Sequence, residues 1–208
     1  MRTLTKELRD KLTPEEAIEV LRRGNERFVN NLKTHRNLLE QINETADEQY
    51  PFAAILSCMD SRTSAELIFD QGLGDIFSIR IAGNILNEDI LGSLEFATKV
   101  AGSKIILVLG HTKCGAITSA CNNVRMGNLT TLLNKLRPVI ENEAETKTQR
   151  DGSNPLFVYN VTRINVLMTI EKIREQSPII SGLLKGGEIK LVGGIYDVDT
   201  GIVEFFED

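Results

Sequence analysis

Three potential metal ligands follow two predicted buried strands. Cys58 comes directly after the apolar run 52–57, and His111 comes directly after the apolar run 104–110, with Cys114 three residues later. In an open α/β sheet, ligands bind outside the carboxyl ends of parallel strands, so we expect these side chains to meet at one edge. Two thiolates and one imidazole suit Zn²⁺. The sequence therefore predicts a zinc site on Cys58, His111 and Cys114.

Each part of this pattern is weak evidence for a metal site when taken alone. A single buried cysteine is usually a small apolar side chain, and a lone histidine after a strand is usually structural. The chain has only three Cys and two His, and three of these five lie at predicted strand ends. Cys121 lies about 10 Å beyond Cys114 along a helix, so we expect a core thiol there. We expect His35, in a polar segment, to be solvated.

Asp60 and Arg62 lie two and four residues beyond Cys58. The simpler interpretation is a surface ion pair. The functional interpretation is that the guanidinium of Arg62 grips the carboxylate of Asp60 and keeps it ionised. A zinc ion with three protein ligands keeps a fourth position open for an activated water. Asp60 could accept a hydrogen bond from the resulting hydroxide and so orient its oxygen lone pair. If Asp60 swings onto the metal, it becomes a fourth ligand instead, so both roles stay open.

Strands and helices alternate from Pro51 onward. This alternation predicts an α/β fold with a mainly parallel central sheet flanked by helices. The predicted strands are 52–57, 76–81, 104–110, 189–196 and 202–206, and the last two form a hairpin. The predicted helices are 65–71, 88–101, 114–122, a stretch over 129–146 that bends or restarts near Pro138, and one through 157–168.

Residues 1–50 are predicted to form an N-terminal helical arm, and residues 51–208 an α/β zinc-binding catalytic domain, within one domain overall. Residues 13–16 combine a capping threonine, a proline suited to the first helical position and a glutamate that completes a capping box. One helix face then carries Ala17, Val20, Leu21 and Phe28. We expect this face to pack on the body or on a partner.

Composition excludes several classes of protein. The 208 residues are 41% hydrophobic and 25% charged, and the formal charge is 24 − 29 = −5. An acidic chain without a basic stripe is a poor nucleic-acid binder. No apolar run reaches the ~20 residues of a membrane span. The charged N-terminus has no apolar leader and the cysteine count is odd, so we expect a reducing, cytoplasmic location.

Four motifs, in order, resemble the β-class carbonic anhydrases. They are CMDSR at 58–62, RIAGN at 80–84, HTKCG at 111–115, and a Y-D-x-x-T-G ending at 196–201. The resemblance extends over residues 14–206. It implies zinc on Cys58, His111 and Cys114, an Asp60–Arg62 dyad, and reversible hydration of CO₂ to bicarbonate and a proton.

The resemblance also implies a substrate pocket formed partly by a neighbouring subunit, and thus a homodimer or a higher even oligomer. Four positions match pocket residues of the plant-like branch: Gln49, Phe77, Ala82 and Phe96. Gly115 would offer backbone near the pocket. Gln49 would hydrogen-bond substrate, and the phenylalanines and alanine would form an apolar lining that suits CO₂.

Three departures from the family pattern stand out. Met59 replaces the more common serine, and Phe96 stands where the plant-like branch often has tyrosine. The enterobacterial-like branch has a tryptophan three residues before the first zinc cysteine; Ile55 occupies that position and the chain has no Trp. We therefore expect no inhibitory bicarbonate site of that kind.

Two other functions fit the same ligands. One is hydrolysis of carbonyl sulfide or carbon disulfide, which pocket width would decide. The other is a non-catalytic zinc or redox-sensing module, against which Asp60 and Arg62 argue, since a structural site has no need of a carboxylate–guanidinium pair.

Overall fold

Five strands form one sheet in the computed structural model, which describes residues 3–206. The strands are β1 (Ala53–Ser57), β2 (Ile76–Arg80), β3 (Ile105–His111), β4 (Lys190–Tyr196) and β5 (Val203–Phe205). Their spatial order is β2-β1-β3-β4-β5, and only the β4–β5 pair is antiparallel. The predicted mainly parallel α/β fold is confirmed, and so is the closing hairpin. The outermost residues of the predicted arm and of the predicted domain, 1–2 and 207–208, lie outside the described residues.

Strand register aligns the carboxyl ends of the three central strands. Ser57, the last residue of β1, pairs with Arg80 of β2 and Leu109 of β3. Cys58 and His111 therefore emerge at the same edge of the sheet. His111 is itself the final residue of β3, whereas the sequence predicted it just beyond the strand.

Both faces of the sheet are covered. Ile55 and Leu107 pack on one face, whereas Leu56 and Val108 pack on the other. This two-sided burial explains the continuous apolar runs of β1 and β3, because a strand buried on both faces shows no alternation of polar and apolar residues.

Ten α-helices surround the sheet within residues 3–206. The first five are α1 (Lys6–Lys11), α2 (Pro14–Val29), α3 (Leu38–Glu44), α4 (Ala65–Ile68) and α5 (Glu88–Glu95). The others are α6 (Gly115–Cys121), α7 (Gly127–Asn134), α8 (Arg137–Asn142), α9 (Pro155–Gln176) and α10 (Pro178–Lys185). A single π-helical turn, Phe96–Val100, extends α5.

Helix α2 packs on the sheet of its own chain. The predicted capping box between Thr13 and Glu16 is present. Ala17 and Leu21 are fully buried in the core formed with β1 and β3. Asn25 of α2 also donates to the carbonyl of Gly201 at 2.9 Å and accepts from the N–H of Val203 at 2.9 Å. The arm is thus tied to the β4–β5 hairpin.

Several helix boundaries differ from the prediction. Helix α4 ends at Ile68 rather than at residue 71, and Asp70 then takes a left-handed φ of 46°. The stretch 129–146 restarts at Arg137, beside Pro138 as expected, but ends at Asn142. The buried carboxylate of Glu143 accepts hydrogen bonds from the N–H groups of Glu145 and Thr146 and so ends the helix there. Helix α10 was not predicted, although Ser177 caps it and Pro178 begins it.

Candidate metal centre

The three predicted ligands meet at the carboxyl edge of the sheet. The ligand atoms of Cys58, His111 and Cys114 lie within 4.8 Å of one another, and all three residues are buried. The two sulfur atoms are 3.8 Å apart. Among the described residues, no other group of three or more His, Cys, Asp or Glu side chains meets in this way.

The imidazole of His111 is oriented for coordination. Its Nδ1 lies 2.9 Å from the carbonyl oxygen of Thr112, which makes Nδ1 the protonated nitrogen. Its Nε2 is buried and has no hydrogen-bond partner. A buried polar atom without a partner is costly, so this lone pair fits a site that holds a metal ion.

The two thiols share a hydrogen bond. This contact with Cys114 lowers the pKa of Cys58, and backbone N–H groups, including that of Gly83 at 3.3 Å, lower it further. The same contact raises the pKa of Cys114, and burial raises it further. Cys58 is therefore the sulfur that ionises first, and a divalent cation would displace the proton left on Cys114.

Asp60 and Arg62 form the predicted pair beside the thiols. Nε and Nη2 of Arg62 donate to the two carboxylate oxygens at 2.9 and 2.7 Å, and the backbone N–H of Arg62 donates at 3.0 Å. These hydrogen bonds hold the pKa of Asp60 well below its usual range. Both carboxylate oxygens are held by Arg62, and Asp60 is outside the cluster of three potential ligands.

Arg80 and Thr63 support the 58–62 loop, and the sequence analysis assigned neither of them a role. Arg80 donates to the carbonyl of Cys58 at 3.1 Å and to that of Asp60 at 2.5 Å. Thr63 donates its hydroxyl to the same two carbonyls at 2.9 Å. Arg80 is the first residue of the RIAGN motif, so the motif was a signal that could have found it.

The five candidate substrate residues divide into two groups. Ala82 directly precedes Gly83, which contacts Cys58, and Gly115 directly follows Cys114. Gln49 is exposed and precedes the start of β1, so roughly 16 Å of strand separates it from the metal edge.

The two phenylalanines also lie away from the metal edge. Phe77 pairs with Ala54, three residues before the edge. Phe96 packs edge-on against it, with ring centroids 6.4 Å apart. Both line an open cleft of about 600 Å³ that contains none of the three metal-ligand candidates.

The remaining Cys and His lie outside the site. Cys121 is half-buried, and burial raises its pKa to about 11, as expected for an unreactive thiol. His35 is exposed.

The carbonic anhydrase family model matches residues 53–203, which is most of the chain and includes all three potential ligands. This chain belongs to the carbonic anhydrase family. Carbonic anhydrase 2 of Mycobacterium tuberculosis is 36% identical over 191 residues, covering 90% of each chain. The carbonic anhydrase of Mycolicibacterium smegmatis is 31% identical over 194 residues, covering 92% of each.

Solved structures identify the β class of the carbonic anhydrases. A β-carbonic anhydrase of Aspergillus fumigatus superposes with a TM-score of 0.73 at 26% identity, covering 81% of each chain. A tetrameric β-carbonic anhydrase of Sordaria macrospora superposes equally well at 25% identity, covering 80% of this chain and 86% of its own. Within residues 3–206, no helix is both long and apolar enough to cross a membrane.

Proposed function

We propose that this carbonic anhydrase hydrates CO₂ reversibly to bicarbonate and a proton, at the site formed by Cys58, His111 and Cys114. One observation carries the proposal: two thiols and an unpartnered imidazole nitrogen converge within 4.8 Å, beside an Asp60 carboxylate fixed by Arg62. The non-catalytic rival does not explain this arrangement, and the hydrolase rival, which would use the same residues, is separated from CO₂ hydration by the substrate assay below. A structural zinc site has no use for the Asp60–Arg62 pair, and the relatives found are named carbonic anhydrases.

The donor set fits zinc as the resident metal. Sulfur and imidazole ligands in a compact group are the donors that Zn²⁺ prefers, and three protein ligands are typical of catalytic sites. When bound there, zinc would lower the pKa of a water so that hydroxide is available near neutral pH. Two thiolates already neutralise the dication, so this effect is weaker than with three imidazoles.

Asp60 and Arg62 then have separate tasks. Asp60 remains an anion through its hydrogen bonds with Arg62, so it accepts a hydrogen bond from the attacking hydroxyl and aims the oxygen lone pair at CO₂. Arg62 keeps Asp60 from turning towards the metal. In the active state Asp60 therefore orients the attacking hydroxyl. It becomes a fourth ligand only in a state in which the hydrogen bonds from Arg62 are lost.

We further propose that a second copy of the chain completes the pocket, as in the plant-like branch. Ala82 and Gly115 lie beside the ligands of their own chain, whereas Gln49, Phe77 and Phe96 lie away from them. Two features support a partner here: β2 is an edge strand, and the Phe96 side chain beside it is 55% exposed. The assembly is then a homodimer or a higher even oligomer.

A cytoplasmic location is also part of the proposal. The three cysteines are free thiols, and the two buried ones lie close together without forming a disulfide. Free thiols this close together fit a reducing compartment, where disulfides are rare.

The substrate is tested by comparing CO₂ with carbonyl sulfide. Zinc-loaded protein is assayed for CO₂ hydration by stopped flow and for sulfide release from carbonyl sulfide, at equal enzyme concentration. We expect rapid CO₂ hydration and little sulfide. Sulfide release that exceeds CO₂ hydration would overturn the proposal in favour of the hydrolase.

A further inference from the structure

The sulfur of Cys58 receives a hydrogen bond from a distant backbone turn. Gly83 donates its N–H to Sγ of Cys58 at 3.3 Å, and the contact is buried. Gly83 lies in the short 3₁₀ turn Ala82–Asn84 and has a left-handed φ of 67°, a conformation that glycine adopts at no steric cost. The direction of this N–H therefore depends on what holds the turn in place.

Asn165 holds the other side of that turn. Its side-chain Nδ2 donates to the carbonyl oxygen of Gly83 at 2.9 Å, across 82 residues of sequence. Asn165 is 3% exposed and lies on the buried face of α9, which packs against β3 and β4. A chain of two buried hydrogen bonds thus runs from a long, well-packed helix through Gly83 to Cys58.

The choice of an amide at this position calls for an explanation. The neighbouring buried residues of α9 include Val161 and Val166, and the hydroxyl of Thr162 bonds only within its own helix, to the carbonyl of Val158 at 2.8 Å. Burying an amide is unfavourable unless it makes hydrogen bonds. The side-chain amide of Asn165 donates its hydrogen bond to the carbonyl of Gly83, and the N–H of Gly83 fixes the position of the Cys58 sulfur.

We propose that Asn165 is a positioning residue for the metal centre. This inference rests on the proposed function, because it treats Cys58 as a metal ligand. By fixing Gly83, Asn165 keeps the N–H donor aimed at Cys58 and limits rotation of the sulfur. Outer hydrogen bonds of this kind orient ligands, and their loss typically costs 10–100-fold in metal affinity.

The test compares Asn165→Leu with Thr162→Val. Each new side chain is close in shape to the one it replaces, and each substitution removes one buried hydrogen bond made by the same helix. Only Asn165→Leu removes the hydrogen bond to Gly83. Zinc affinity is measured by competition with a chelator, and the Co²⁺-loaded proteins are compared by their thiolate-to-metal absorption. We expect Asn165→Leu to bind zinc at least ~10-fold more weakly and to shift the absorption band. Thr162→Val should match the parent in both measurements.

Three results would overturn the inference. One is parent-like affinity and spectrum in Asn165→Leu; another is an equal loss in Thr162→Val, which would indicate general loosening of α9. If Asn165→Leu fails to fold, Asn165→Ala is measured in the same way, and failure of both to fold would make Asn165 a structural residue only. A parent that binds no zinc through Cys58 would instead defeat the proposed function.

Discussion

Arg62 holds both carboxylate oxygens of Asp60, through hydrogen bonds of 2.9 Å from Nε and 2.7 Å from Nη2. This geometry keeps the carboxylate charged and prevents it from turning towards the thiols. In the proposed mechanism, the hydrogen bonds from Arg62 therefore decide whether Asp60 orients the nucleophile or becomes a fourth metal ligand.

Removing the guanidinium should release Asp60. In zinc-loaded Arg62→Ala we expect Asp60 to coordinate the metal near neutral pH. Both guanidinium hydrogen bonds are lost, only the backbone N–H of residue 62 still donates to one oxygen, and water competes poorly for the metal at that pH. A crystal structure of this variant should show four protein ligands. A carboxylate that stays clear of the metal in that crystal would show that Arg62 is not what keeps the site open.

The ligand set predicts about one zinc per chain, because the described residues contain one group of this kind. Cys58→Ser, His111→Ala and Cys114→Ser should each lose the metal when purified under identical conditions. Cys121→Ser is the matched control, since this thiol lies outside the group, and it should retain zinc. Metal content is measured by mass spectrometry, and zinc retained in all three ligand variants would rule out this set.

Asp70 predicts a pH-dependent contribution to stability. Burial raises its pKa, but hydrogen bonds from Arg27, Arg36 and Thr34 outweigh burial and lower the pKa to about 2, below the ~3.9 of an unstructured aspartate. A pKa lowered by folding means that the ionised carboxylate stabilises the fold above pH ~4, and that this contribution is lost as the pH falls towards ~2.

We therefore expect Asp70→Asn to lower the free energy of unfolding by about 2 kcal/mol at pH 7. The difference from the parent should narrow as the pH falls below ~4. Denaturant unfolding at several pH values measures it. Glu7→Gln, which breaks an exposed pair with Lys11, is the control and should change stability little. A pH-independent difference for Asp70→Asn would contradict this account.

The proposed sharing of the pocket between subunits predicts complementation between two inactive variants. Asp60→Asn has a defective site but an intact Gln49, whereas Gln49→Leu has intact ligands but no amide to donate. If Gln49 serves the neighbouring subunit, mixed dimers contain one complete site, and statistical mixing restores about a quarter of parent activity. Subunits are mixed by co-expression, and assembly is checked by ultracentrifugation. Activity no higher than that of the separate variants would place Gln49 in its own chain's site or outside the pocket.

The sequence predicted that Cys58, His111 and Cys114 come together, because all three residues follow predicted strand ends. An apolar run followed by Cys58, and another followed by His111, are local signals, and parallel pairing brings such ends together. The apolar face of α2 was a less decisive signal, because apolar residues such as Ala17 and Leu21 on one face can pack either on a partner or on the same chain. The structure buries this face on the chain's own sheet.

The RIAGN motif singles out Arg80, but the groups that the supporting residues contact could not be predicted from the sequence. Arg80 reaches the carbonyl of Cys58 across 22 residues, and Asn165 reaches Gly83 across 82. Such bonds depend on how helices and strands pack, and no periodicity or spacing in the sequence encodes them. Helix α10 was missed for a simpler reason: it is eight residues long, and its cap and proline lie directly after the end of α9.

CO₂ hydration by Asp60→Asn, at zinc content equal to that of the parent, tests the central claim most directly. The amide keeps the size of the side chain but is not an anionic acceptor, and Asp47→Asn, at an exposed position of the arm, is the control. Stopped-flow rates should fall at least ~100-fold across the whole pH range in Asp60→Asn, a typical loss for a positioned group acting on the proton of the nucleophile, and remain at the parent level in Asp47→Asn. Parent-like turnover by fully zinc-loaded Asp60→Asn at every pH would contradict the account.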